Sequence, residues 1–213
     1  WRERTLIGTT DILVNNYPLE PIPTESEITF LLEHASKYLT KDPQRSDVKS
    51  VFAGLRPLVK SNNNEDDTAS ISRDHLITIS KSKLITIAGG KWTTYRRMGE
   101  DVIEQAILIG NLPPSESISS TLQIHGYHKN SHNYGHLSLY GSDANKIEDL
   151  LNEKDEYREL LHPKHPVMKG EIIWAIRNEM VYNIEDFLAR RTQLLILDAK
   201  ASIESAPTVA RIM

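Results

Sequence analysis

Apolar positions along the chain follow two periods, and each period predicts a different kind of element. The runs His75–Ser80 and Lys83–Ala88 are short, apolar and separated by polar residues, so they predict a hairpin pair of strands. Apolar residues three and four positions apart predict a helix after the capping-box sequence Thr24-Glu-Ser-Glu27. The same spacing predicts a long helix from about Thr94 to Ile109.

The rest of the pattern divides the chain into an α/β first part and a mostly α-helical second part. Further strands are expected at residues 5–10 and 50–57, where apolar runs end at polar residues or proline. Beyond Pro113-Pro114 the pattern is helical, over Asp143–Leu151, around Ile172–Met180, from Asn183 onwards and at the C-terminus. We therefore predict a domain at 1–112, a linker at 113–122 and a helical domain at 123–213.

Composition narrows the possible functions. The 213 residues include 25 Lys and Arg against 29 Asp and Glu, a net charge of −4, so no general attraction to nucleic acid is expected. The absence of cysteine excludes disulfides and thiolate chemistry. No apolar run approaches the roughly 18 residues that span a bilayer. The chain begins at Trp1 and ends within a helical pattern, so we expect it to be a piece of a longer protein.

The most informative segment is Leu84-Ile-Thr-Ile-Ala-Gly-Gly-Lys-Trp-Thr-Thr-Tyr-Arg96, which predicts a strand buried on both faces, a glycine turn and a helix start. Gly89 and Gly90 allow close approach of a ligand, and the helix N-terminus with Lys91 favours an anionic or electron-accepting group. Thr93 or Thr94 can cap the helix. A tight turn without a ligand is the plainer alternative. A P-loop is excluded because Ile85 and Trp92 stand where it requires Gly and Ser or Thr, and no G-x-G occurs anywhere.

Two arginines and four histidines are further candidates for binding chemistry. Arg56 precedes a proline, and Arg73 lies in Ser72-Arg-Asp-His75; each suits bidentate binding of a phosphate or carboxylate, with a structural salt bridge as the alternative. Glycines and asparagines surround the histidines and favour a polar surface loop over a metal site, so no metal is predicted. Those four histidines are His125, His128, His132 and His136.

Taken together, these motifs resemble one family, the FAD-dependent glycerol-3-phosphate dehydrogenases. The segments that carry the resemblance run in order along nearly the whole chain: Thr5-Leu-Ile-Gly-Thr-Thr-Asp11, Ser50-Val-Phe-Ala-Gly-Leu-Arg-Pro57, Ser72-Arg-Asp-His75, Ala88-Gly-Gly-Lys-Trp-Thr-Thr-Tyr-Arg96, Glu179-Met180, Ile184-Glu-Asp-Phe-Leu-Ala-Arg-Arg191 and Asp198-Ala-Lys-Ala201. The resemblance implies a remnant of the FAD and substrate domain, followed by the helical C-terminal domain. The glycine-rich segment that binds most of the FAD in that family has no counterpart here.

The resemblance also implies roles for individual residues. Arg56 and Arg73 match the arginines that bind the substrate phosphate, and Lys91 matches the active-site lysine. The cofactor-binding loop against the flavin comprises Gly89, Gly90, Lys91, Trp92, Thr93 and Thr94, although the family usually has a smaller aliphatic residue where Trp92 stands. The helix N-terminus and Lys91 would stabilise the negative charge of the reduced flavin.

The implied reaction oxidises glycerol 3-phosphate to dihydroxyacetone phosphate and passes the electrons to a membrane quinone. The resemblance further implies an enzyme attached peripherally to the cytoplasmic face of the cell membrane, with a homodimer as one possible assembly. A glycerol-3-phosphate oxidase that reduces oxygen is a close alternative. A non-catalytic helical interaction module, with a purely structural glycine turn, is an alternative of another class.

Overall fold

A computed structural model describes residues 1–56 and 74–213 of the chain. Its contacts separate two units. The larger unit combines Trp1–Ile12 and Pro18–Ala53 with Ile124–Met213, and the smaller combines Leu13–Tyr17 with residues 54–123. The domain boundaries at 112 and 123 remain a prediction. Both sheets in the described part of the chain are antiparallel and two-stranded, and helices dominate its C-terminal part.

The smaller unit contains a hairpin and a long helix, as the sequence predicts. Strands β1 (His75–Ile79) and β2 (Ile85–Gly89) pair antiparallel, with His75 opposite Gly89 and Ile77 opposite Ile87. Helix α2 (Tyr95–Gly110) follows and contacts β2. The expectation of a strand covered on both faces is wrong within the described residues, since exposure alternates along β2 and leaves one face of the hairpin open. A single helix can cover only one face of a two-stranded sheet.

Side-chain ion pairs stabilise the N-terminal end of α2, and a left-handed residue ends the helix. Arg96 and Arg97 oppose the helix dipole in the first turn, and each pairs with an acidic residue one turn later: Arg96 with Glu100, and Arg97 with Asp101 at 2.9 Å. Asn111 ends the helix in the left-handed conformation at φ 50°.

The larger unit begins with helix α1 (Glu25–Ser36), whose predicted capping box is confirmed. The Thr24 hydroxyl accepts the Glu27 N–H at 3.3 Å, and the Glu27 carboxylate accepts the Thr24 N–H at 2.9 Å. Glu27 also accepts a hydrogen bond of 2.7 Å from the Thr10 hydroxyl, so the capping carboxylate fastens the preceding segment to α1.

The C-terminal part of the larger unit is helical, in agreement with the prediction, but it also contains a short hairpin that the sequence pattern does not reveal. Two groups of buried apolar side chains form its core: one centres on Phe187, Ile172 and Val209, and the other on Ile147 and Trp174. The elements are α3 (Ala144–Leu151), β3 (Leu160–His162), β4 (His165–Met168), α4 (Lys169–Asn178), a π-helix at Asp186–Arg191, α5 (Leu194–Leu197) and α6 (Ala199–Ile212).

A buried polar cluster links the first residues of the chain to this helical part. Glu171, which is 3% exposed, accepts hydrogen bonds from the Tyr140 hydroxyl at 2.8 Å and from the Met168 N–H at 2.7 Å. Burial raises the pKa of Tyr140, and the charge of Glu171 raises it further. Arg2 lies in the field of both groups and donates to the Thr192 carbonyl at 2.7 Å, while burial lowers its pKa. These bonds place residue 2 against the C-terminal helices.

Two of the predicted strands are wrong. Neither residues 5–10 nor residues 50–56 form a strand, because no neighbouring strand in the described part of the chain pairs with their backbone. The start of the second segment instead belongs to the larger unit: Ser50 donates to the Leu195 carbonyl at 2.8 Å, and the carbonyl of the preceding Lys49 accepts the Ala199 N–H at 3.1 Å.

The segment predicted as a polar loop, around the four histidines, differs from that expectation. Residues 131–143 form 3₁₀ turns, interrupted at Gly135 and Gly141, where φ is 56° and 53°. A Cβ at Gly141 would lie 1.7 Å from the Gly126 carbonyl oxygen, so only glycine fits there. His125 pairs with Asp143 at 2.6 Å and His136 with Glu171 at 3.2 Å. Within residues 1–56 and 74–213, no three potential ligands are grouped around one metal position.

Candidate functional site

The candidate site is the turn between β2 and α2, and its backbone requires glycine. Gly89 and Gly90 have φ of 76° and 77°, a region that side-chain-bearing residues rarely adopt. A Cβ at Gly90 would lie 2.5 Å from Met98 Sδ and 3.3 Å from His75 Cβ. The turn therefore packs against both α2 and β1. Its backbone conformation and the lack of space for a Cβ both require glycine.

Lys91 to Thr94 continue the turn into the helix with their side chains exposed to solvent. Residues Trp92–Thr94 form one 3₁₀ turn. The Thr94 hydroxyl donates to the Lys91 carbonyl at 2.9 Å and accepts the Lys91 N–H at 3.2 Å. Thr94 occupies the N-cap position of α2 as expected, but its side chain closes this turn and does not cap a helical N–H. The first N–H groups of a helix lack acceptors within the helix, so they can bind an anionic or electron-rich group here.

An aromatic pair is also exposed beside the turn. Trp92 is 87% exposed and stacks on Tyr95, with 5.7 Å between the ring centroids. An exposed indole offers a large flat face to whatever binds beside it. Together with Lys91, it gives the turn one cationic and one aromatic side chain directed away from the unit's own core.

The structure brings together six of the predicted site residues, Gly89 to Thr94, in this single turn. Arg56 belongs to the same unit and is exposed at the end of the first described segment. Arg73 lies outside the described residues. The roles assigned to these residues therefore remain predictions.

Sequence reasoning did not find the contact between a histidine and an aspartate beneath the turn. His75 Nε2 lies 2.9 Å from Asp101 Oδ2, and both side chains are about four-fifths buried, with exposed fractions of 21% and 22%. Arg97 contacts the other oxygen of Asp101 at 2.9 Å. The i, i+4 spacing of Arg97 and Asp101 was a visible signal for half of this arrangement. The contact with His75 depends on how α2 packs against β1.

Comparison with known proteins identifies the family. Residues 80–213 match the family described as the C-terminal domain of alpha-glycerophosphate oxidase. The chain belongs to this family. The match includes the Gly89–Gly90 turn, α2 and all of the helical part, so the predicted resemblance is confirmed.

Curated relatives of the chain carry the name glycerol-3-phosphate dehydrogenase. A mitochondrial one from Arabidopsis thaliana is 34% identical over the whole chain, which covers 38% of that protein. A probable mitochondrial one from Caenorhabditis elegans is 36% identical, and the Homo sapiens mitochondrial protein 34%, each with the whole chain matched to 32% of the relative. The chain therefore spans about a third of the length of these relatives. Among the described residues, no helix has the length and apolar character to cross a bilayer.

Proposed function

We propose that this chain contributes the C-terminal part of a flavoenzyme that oxidises glycerol 3-phosphate to dihydroxyacetone phosphate. The observation that carries the proposal is the turn at Gly89 and Gly90, which both have a left-handed backbone and lead through the exposed Lys91 into a 16-residue helix. Membership of a family described by glycerophosphate oxidase, together with relatives named glycerol-3-phosphate dehydrogenase, supports this substrate class.

The turn fits the isoalloxazine part of FAD. Met98 and His75 already fill the space beside Gly90 where a Cβ would lie, so a flat ring would approach the turn from its open side, and Gly89 to Thr94 would line that side. FAD, when bound, supplies the hydride acceptor of the reaction. Lys91 and the N-terminus of α2 place positive potential on that side, where they favour the electron-rich, reduced form of the ring. The adenosine and pyrophosphate would be held elsewhere, since no G-x-G-x-x-G occurs in the chain.

Arg56 and Arg73 are proposed to bind the phosphate of the substrate. A phosphate monoester carries roughly −1.5 to −2 charges at neutral pH, and a guanidinium group matches its oxygens with two parallel N–H donors. Fixing the phosphate would hold the secondary alcohol carbon in one place relative to the turn, which is the main contribution expected from binding groups remote from the reacting atoms.

A membrane quinone is the proposed electron acceptor, with oxygen as the alternative. The relatives' names describe dehydrogenases, which favours an acceptor other than oxygen, while the family description includes an oxidase. Measuring turnover of the full-length protein with a quinone analogue, against peroxide release in air, separates the two. We also propose peripheral attachment to a membrane, at the inner face of the cell membrane or, following the relatives' names, in the mitochondrion. A homodimer is the proposed assembly.

Replacement of Arg56 by alanine in the full-length protein tests the substrate assignment. Charge-assisted hydrogen bonds contribute about 1.5–3 kcal/mol, so Arg56→Ala should raise the KM for glycerol 3-phosphate roughly 10- to 100-fold. Arg45→Ala is the matched control, because Arg45 is an exposed arginine paired with Glu25 in the other unit. An unchanged KM in Arg56→Ala would refute the phosphate role and favour a non-catalytic module.

A further inference from the structure

We infer that His75 and Asp101 act as a positioning pair for Lys91 and the glycine turn, a role that rests on the proposed function of that turn. Neither residue belongs to the candidate site itself. Both lie beneath it, where β1, the turn after β2 and α2 meet, and their contact holds β1 against α2.

His75 contacts the turn from the strand side. It is the first residue of β1 and stands opposite Gly89 in the antiparallel register. Its Cβ would be 3.3 Å from a Cβ at Gly90, so the base of the His75 side chain lies directly against the second glycine. Any movement of the start of β1 is therefore transmitted to the residue that precedes Lys91.

Asp101 approaches the underside of the turn from the helix. It lies three residues after Met98, whose sulfur would be 2.5 Å from a Cβ at Gly90, so both residues occupy the helix face towards the hairpin. One carboxylate oxygen of Asp101 pairs with His75 at 2.9 Å, and the other pairs with Arg97 at 2.9 Å. The carboxylate thus joins β1 to the first two turns of α2.

His75 and Asp101 are more buried than the partners of an ordinary surface ion pair, so their contact should stabilise the structure more. His75 and Asp101 expose only 21% and 22% of their side chains, whereas Arg97 exposes 61%. Partial exclusion of water strengthens a hydrogen bond between an imidazole and a carboxylate, because water competes less for the same groups. Lys91 to Thr94 themselves are exposed to solvent, so their position depends on the contacts beneath the two glycines.

The consequence concerns the placement of positive charge. Lys91 and the first N–H groups of α2 can stabilise developing negative charge only while the turn and the helix keep one relative orientation. A displacement of about 1 Å in such a group can cost on the order of 100-fold in rate. Loss of the pair should therefore reduce the rate and the electron affinity of the flavin more than it reduces substrate binding.

The test uses the full-length protein with His75→Ala, His75→Gln, Asp101→Asn and the double variant His75→Ala with Asp101→Asn. We expect kcat to fall about 10-fold or more in His75→Ala, with KM for glycerol 3-phosphate changed less than about threefold. The flavin reduction potential should become more negative. His75→Gln, which keeps a side-chain N–H donor, should recover part of both losses. The double variant should be no worse than the poorer single one, since the two residues share one interaction.

Glu100→Gln is the matched control, because Glu100 pairs with Arg96 and Arg97 on the same helix, whereas the partner of His75 is Asp101. It should leave kcat and the flavin potential unchanged. Lys91→Ala separates the two proposals. If Lys91→Ala leaves both quantities unchanged, the proposed function of the turn fails. If Lys91→Ala lowers both while His75→Ala and His75→Gln lower only the melting temperature, the pair is merely structural and the inference is overturned.

Discussion

At Gly90 two separate requirements fall on one residue. Its φ of 77° needs a residue without Cβ, and the space beside it is already filled by Met98 and His75. Met98 is a flexible side chain whose end can move, but His75 Cβ lies next to the backbone of a paired strand and cannot. The left-handed backbone and the contact with His75 Cβ therefore both oppose any substitution.

We predict that Gly90→Ala lowers the free energy of unfolding by about 1–2 kcal/mol, because an L-residue at this φ is strained and crowded. Denaturant unfolding measures the loss. Gly99→Ala is the control on the neighbouring helix: nothing lies within 4 Å of a Cβ at Gly99, so alanine should stabilise α2 by about 0.5–1 kcal/mol. Equal effects of the two substitutions would show that the turn geometry carries no constraint.

Single residues differ in how far the sequence reveals their role. The glycine pair and Lys91 are adjacent in the chain, so a strand, two glycines and a helical period are enough to predict the turn. The contact between His75 and Asp101 joins two elements that are far apart in sequence, and no periodicity specifies which acidic residue of α2 will face β1. Such contacts follow from packing, which local patterns do not encode.

Among the elements, helices were predicted better than strands for a physical reason. The capping box at Thr24 and the apolar period of α2 are local, and a helix closes its hydrogen bonds within itself. A strand needs a partner: the apolar runs at 5–10 and 50–56 are present, but no described neighbour pairs with either segment. β3 and β4 were missed because strands of three and four residues are too short to show a period.

Helix α6 offers a test of capping at the scale of an element. Asp198 is its N-cap: one carboxylate oxygen accepts the Ala201 N–H at 3.1 Å, and the other lies 3.4 Å from His165 Nε2. Burial opposes ionisation of Asp198, but these hydrogen bonds hold its pKa below the usual value. The ionised form is therefore the one that stabilises the fold.

We predict that Asp198→Ala lowers the free energy of unfolding by about 1 kcal/mol at neutral pH. Because the folded-state pKa is depressed, the charge-dependent part of this stability is present above the unfolded pKa of about 3.9 and is lost as pH falls through the lower, folded value. The difference between the variant and the original protein should shrink over that range in unfolding experiments. Asp198→Asn keeps a cap acceptor without the charge, so it should cost less; a larger loss than in Asp198→Ala would contradict the capping role.

For the whole molecule, the decisive feature is that the chain contains only part of the residues that a complete FAD site would need. The turn is the proposed contact surface for a flavin ring, whereas the sequence contains no glycine fingerprint for the rest of the dinucleotide. The whole chain corresponds to about a third of the relatives' length. Most of the contacts that would hold FAD are therefore expected from polypeptide that is not among these 213 residues.

We predict that the 213-residue chain, expressed alone, binds FAD weakly or not at all and does not oxidise glycerol 3-phosphate. A single wall leaves most of the ligand's surface in water, whereas tight ligand sites bury roughly 70–90% of it. Visible absorption of the purified chain and titration of its fluorescence with FAD provide the measurement, with the full-length protein as the positive control. Stoichiometric flavin in the isolated chain would mean that these residues hold the cofactor by themselves, and the assignment of the pyrophosphate to other polypeptide would be wrong.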